Sequence, residues 1–134
     1  MGFKDSEEVT KYIGGIFEVA FDDPEIGPKL AATGLVVAFD FTDPEAAVVV
    51  DMPNRAVGGG HQGGPAPSAT MTMTAETGNA YWQGKVNLPL AMAKKKVKVD
   101  GNVASLLKLA PLAKKLYPGY IQHLKDDGRD DLLA

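Results

Sequence analysis

Between Val97 and Ala110 the apolar spacing changes period, and that change constrains everything around it. Val97 and Val99 alternate with Lys96, Lys98 and Asp100, the period of two expected of a half-buried strand. Val103, Leu106, Leu107 and Ala110 then fall on one helical stripe. Asn102 between them is a good N-cap, because its side chain accepts from the free amides of the next turn. A strand therefore turns directly into a helix at Asp100-Gly101-Asn102. Ahead of it lies an uncharged hexamer, Leu88 to Ala93, too short to span a bilayer.

The rest of the chain supplies partners for that pair. Asp5 and Glu8 have capping-box spacing before Val9, Ile13, Ile16, Phe17 and Ala20, which recur at helical intervals. Gly14-Gly15 in the middle weakens that helix and serves either a close helix–sheet contact or space for a ligand. Asp23-Pro24-Glu25 opens a second helix that ends before Gly34. Leu35, Val37, Phe39 and Phe41 form a strand, Ala46 to Met52 returns as its hairpin partner, and Ala56-Val57 begins a short edge strand. Ala69, Met71 and Met73 alternate with threonines in a fourth strand, followed by a short helix from Ala75 to Gln83 carrying Tyr81 and Trp82. Pro111 kinks or restarts the last long helix. Past Pro118-Gly119, Tyr120, Ile121 and Leu124 give a final amphipathic turn, and Lys125 to Asp131 reads as a solvated, charged tail.

Chemistry-bearing patterns are sparse. There is no Cys and there are two His, and no Ser stands in a nucleophile elbow. Asp40 and Asp51 fall on the polar side of their strands and are expected to be solvated. Gly58 to Pro65 lacks the Lys-Ser or Lys-Thr of a phosphate-cradling loop, and His61 within it has no ligand-spaced partner, so a flexible hairpin loop is expected and no metal site. A formal charge of −3 disfavours nucleic acid as a partner. No secretory layout or spanning segment is present, which with the lack of Cys suits a cytoplasmic protein.

Gly84-Lys85-Val86-Asn87, six residues containing Ala91-Met92, Lys96-Val97-Lys98-Val99 and Gly101-Asn102 before a Leu-rich helix together resemble the sterol carrier protein type-two domain family. The alternating strand at Ala69 to Thr74 is similar to the one that precedes this run in the family. One departure is Lys95, where the family usually has Gly; another is the segment 118–134, beyond the family's core. The length suits a single domain over residues 1–134, of which the resemblance covers roughly Asp5 to Leu116. The implied fold is α/β, a mixed, mainly antiparallel five-stranded sheet in the order 3-2-1-4-5, covered on one face by helices.

The resemblance further implies a tunnel for sterols, fatty acids or fatty-acyl thioesters, with no catalytic residue, cofactor or metal. The expected lining draws on Ile13, Ile16 and Phe17 from the first helix, Val37 and Phe39 from the first strand, and Met71 and Met73, whose unbranched side chains suit varied ligands. Trp82, Leu88, Leu90, Met92, Val97, Val99, Leu106, Leu107 and Leu116 complete it. The partners are an apolar lipid, a transient membrane surface and a second copy of the chain. The run Lys94-Lys95-Lys96 reads either as a solvated face or as a rim that meets anionic headgroups or the phosphates of an acyl thioester. The segment after Pro118 is expected to act as a lid. Two other functions stay open: an enzyme or accessory protein of steroid, acyl-thioester or quinone metabolism using the same cavity, and an interaction module with a filled core.

Overall fold

The structure, a computed structural model, describes residues 3–59 and 67–133. The expected loop around His61 therefore lies outside the described residues. The sheet is built from β1 (Val36–Thr42), β2 (Ala46–Asp51), β3 (Ala56–Gly59), β4 (Ala69–Thr74) and β5 (Lys98–Gly101), in the order β3-β2-β1-β4-β5. The order and the mixed, mainly antiparallel character are those the resemblance implies; three neighbouring pairs are antiparallel and β1 with β4 is parallel. The register sets Phe39 beside both Val48 and Met71, and Met71 beside Val99. Because side chains alternate along each strand, Val37, Phe39, Phe41, Val48, Val50, Met71 and Met73 share one face, and all are buried.

Helices cover that face. The N-terminal helix consists of α1 (Ser6–Val9), a π-helical turn (Thr10–Gly14) and α2 (Gly15–Asp22). The Asp5 carboxylate accepts from the Glu8 amide at 3.0 Å, but Glu8 reaches back to the Lys4 amide instead of closing a capping box. A Cβ on Gly14 would stand 3.3 Å from the Val57 side chain, so the helix–sheet contact is the reason for that glycine. The expected continuous α-helix is corrected by the π-turn, which inserts one residue into the stripe. α3 (Ile26–Ala32) follows, with the Asp23 carboxylate accepting from the Glu25 and Ile26 amides. Those two bonds hold the Asp23 carboxyl below its ordinary pKa.

α4 (Ala75–Tyr81) is capped by Thr74 and closes at Gly84, whose φ of 77° permits the Lys85 amide to bond the Ala80 carbonyl. The apolar hexamer is a helix of its own, α5 (Leu88–Ala93), capped by Asn87, which accepts from Leu90. It ends in the same kind of turn at Lys95. The Lys95 amide bonds Met92 and the Lys96 amide bonds Ala91, with Lys95 at φ 61°. The left-handed turn is thus built on a lysine. α6 (Val103–Lys114) is capped by Asn102 and carries Pro111 within it.

The C-terminal segment departs from expectation. α7 (Tyr117–Asp126) carries Pro118 in its first turn, where the missing N–H costs nothing. Tyr120, Leu124 and, in the 3-10 turn Asp130–Leu132, Leu132 are buried. Asn79 donates to the Leu132 carbonyl at 2.7 Å and accepts from the Tyr120 hydroxyl at 2.6 Å, while Gln83 donates to the same carbonyl at 2.9 Å. Arg129 pairs with Glu8 at 2.7 Å and with Asp131 at 3.1 Å, and Asp127 accepts from the Tyr12 hydroxyl. The expected frayed tail is corrected: Tyr120, Leu124 and Leu132 belong to the core cluster, and Arg129 and Asp127 clasp the N-terminal helix.

Candidate functional site

The sheet face and the helices nearly meet around Trp82, the C-cap of α4. Its ring lies edge-on to Phe17 of α2 at 5.2 Å between centroids and to Phe39 of β1 at 6.3 Å. Phe17 and Phe39 are 5.7 Å apart, which closes an aromatic triangle. Beside it runs a narrow interior cleft. Its floor is Phe39 and Met71, adjacent across the parallel pair β1–β4; Tyr81, Trp82 and Leu88 form one wall. α6 forms the other with Leu106, Leu109, Ala110 and Ala113. The cleft encloses about 20 Å³, close to the space of one water molecule.

Five expected residues come together there: Phe39, Met71, Trp82, Leu88 and Leu106. Phe17 backs Trp82, and Ile13, Val37, Met73 and Val97 are buried core positions that do not line the cleft. Ile16 and Leu116 instead line an open surface groove of about 320 Å³ between α2, α3 and α7, with Val19, 71% exposed, at its edge. Met92, Val97 and Val99 share a shallow depression with Lys95 and Lys98. Leu90 and Leu107 are turned outward, 52% and 43% exposed, and do not reach the cleft.

Tyr81, Leu109, Ala110 and Ala113 line the cleft although the sequence analysis did not nominate them. Their signal was available for α6, since 106, 109, 110 and 113 repeat at helical spacing. A stripe started from Val103 admits Leu107 in place of Leu109.

The cleft's chemistry is that of an apolar container. Tyr81 carries its one titratable side chain among the described residues, and burial pushes that phenol up, so it stays neutral at physiological pH. Asp51 is also not the solvated carboxylate expected: it is buried and accepts from the Asn54 amide and side chain, at a turn remote from the cleft. Among the described residues no group of three or more His, Cys, Asp or Glu could hold a metal ion, and no helix is long and apolar enough to cross a membrane.

This architecture has counterparts among solved structures. It superposes on the solution structure of sterol carrier protein domain 2 of Helicoverpa armigera with a TM-score of 0.68 at 21% identity, covering 88% of this chain and 95% of that one. For the apo sterol carrier protein 2 of Yarrowia lipolytica the values are 0.65, 18%, 78% and 89%. The Aedes aegypti sterol carrier protein 2, solved in complex with palmitate, gives 0.57 at 26% identity over 83% of this chain and 96% of that one. None of the curated proteins matches at a significant level. The sequence of residues 16–114 matches the SCP-2 sterol transfer family, and that span runs from α2 through the sheet and every element of the cleft to the end of α6. The chain belongs to that family.

Proposed function

We infer that this protein binds one apolar lipid at a time, a fatty acid, sterol or fatty-acyl thioester, between the sheet and α4–α6, and carries it without converting it. The observation that carries this reading is the cleft at Phe39, Met71 and Trp82, an apolar space in the interior of the domain. Membership of a sterol transfer family and the palmitate complex of the Aedes relative support it. The driving force is desolvation: burying about 400 Å² of ligand at about 25 cal/mol/Å² yields about 10 kcal/mol gross, before association costs. With few polar groups to orient a ligand, discrimination among similar lipids is weak. The cleft must widen to admit a chain, and α6 is the wall that moves, with Pro111 depriving it of one backbone hydrogen bond.

The open groove between α2, α3 and α7 favours a second location for the same ligand, since it already has the volume. Trp82 is the chain's single tryptophan and lines the cleft, so it reports which is used. A fatty acid carrying a nitroxide on its chain is expected to quench Trp82. Met71→Asp, which sets an unpaired charge in the wall, is expected to abolish quenching in a variant that stays folded. Binding without quenching, lost on Val19→Asp, would move the site to the groove. Conversion of an acyl thioester or steroid by the purified protein would refute the non-enzymatic reading.

A further inference from the structure

An apolar cleft leaves four lysines without a role. α5 is two-sided: Leu88 is buried on its inner side, whereas Leu90 lies on an open cleft of about 700 Å³ walled by Lys85, Lys94, Lys95 and Lys96. All four lysines are exposed, and among the described residues none has a carboxylate within ion-pair distance. Glu76 is the one acidic residue lining that cleft among the described residues. Four unpaired positive charges are thus gathered on a chain whose formal charge is −3. Lys95 also holds a left-handed backbone conformation, φ 61°, that glycine would hold at less cost, so a charged side chain is kept where the backbone disfavours one.

We propose that this face docks on an anionic phospholipid bilayer, with Leu90 entering the interface and the lysines meeting headgroup phosphates. A soluble anion would neutralise the lysines and leave Leu90 in water. A bilayer interface offers negative charge above an apolar layer, which matches an exposed leucine ringed by lysines. The proposal rests on the lipid-carrier reading and gives it a route, because Leu88 on the same short helix lines the interior cleft. Lipid then passes along α5 from the bilayer to the cleft.

The test is co-sedimentation of the full chain with phosphatidylcholine vesicles, with and without phosphatidylglycerol. The unmodified protein is expected to bind the anionic vesicles and to be released by salt. Each lysine near such a surface contributes about fivefold in partition, so Lys94→Gln, Lys95→Gly and Lys96→Gln together are expected to weaken it by about a hundredfold. Leu90→Gln is expected to weaken it by about tenfold even at low salt. Trp82 quenching by the nitroxide fatty acid, measured without vesicles, should be unchanged in the triple lysine variant. Equal partition of that variant, or no preference of the parent for anionic vesicles, would overturn the proposal. So would binding to polyglutamate with no vesicle binding, which would make the face a site for acidic protein. Failure of both fatty-acid binding and quenching with vesicle binding intact would instead sink the carrier reading and leave the docking face standing.

Discussion

Asn79 offers the sharpest test of how the C-terminal segment is held. Its side chain makes three hydrogen bonds in the interior: to the Leu132 carbonyl at 2.7 Å, from the Tyr120 hydroxyl at 2.6 Å and from Gln83 Nε2 at 3.0 Å. Replacing it with Ala leaves the groups unequally provided for. The Leu132 carbonyl keeps Gln83, and Gln83 keeps the Asn79 backbone carbonyl. The buried Tyr120 hydroxyl, by contrast, loses the acceptor it has in the structure. An orphaned buried hydroxyl costs about 1–3 kcal/mol, and the other lost bonds about 1 kcal/mol more, so Asn79→Ala should cost about 3 kcal/mol. Tyr120→Phe alone removes one bond and leaves Asn79 Oδ1 satisfied by Gln83, at a cost of about 1 kcal/mol. In the Asn79→Ala background the same change removes the orphan and should be neutral or stabilising. The coupling read from urea unfolding of the four proteins, at unchanged m-value, should therefore exceed about 1 kcal/mol. Equal cost of Tyr120→Phe in both backgrounds would refute the network account.

Lys95→Gly is expected to stabilise the fold by about 1 kcal/mol, because glycine adopts the left-handed turn without the Cβ clash; Lys95→Ala should give none of that gain, and urea midpoints compare the two. The Arg129 guanidinium, and after it the Lys4 amide, hold the Glu8 carboxyl below its ordinary pKa of 4.5. A lowered folded pKa gives stability that is present above 4.5 and lost as pH falls below it. The stabilities of the parent and Glu8→Gln, followed by thermal melting, should therefore differ at neutral pH, by about 1 kcal/mol or less for this partly solvated pair, and converge in acid.

What was legible in the sequence follows interaction range. Strands with one buried face announce themselves by alternation, and Phe39, Met71 and Val99 were read correctly as inward-facing positions. Their mutual register is set across the parallel pairing of β1 with β4, thirty-two residues apart, which no local pattern encodes. α5 was missed because six residues with Pro89 near the start show no period, and its ends depend on Asn87 and the left-handed Lys95. Leu107 was preferred to Leu109 because both fit a helical stripe, and only packing against the sheet decides between them. The charged C-terminus looked solvated because Arg129 and Glu8, 121 positions apart, give no local sign of meeting. Asn79 on α4 and Gln83 in the turn that follows it sit four apart, the usual spacing of an exposed polar pair, and are buried because Leu132 folds over them.

The closed state of the cleft has a consequence for how a lipid enters. Lifting α6 into water would expose Leu106 and Leu109, each worth about 1.5–3 kcal/mol when fully buried, so opening alone costs about 5 kcal/mol. Roughly one molecule in several thousand would then be open, and a ligand that waits for that state from solution has its association rate lowered by the same factor. A ligand that advances between the walls as they part keeps both leucines covered throughout, and the cost never arises in full. That path requires the acyl chain to start in contact with a wall of the cleft. α5 is the element that has a side chain on each side of such a wall, Leu88 within and Leu90 without. Delivery from a bilayer along α5 therefore avoids the penalty that aqueous entry incurs, which ties the basic face to the interior cleft by energetics as well as by position.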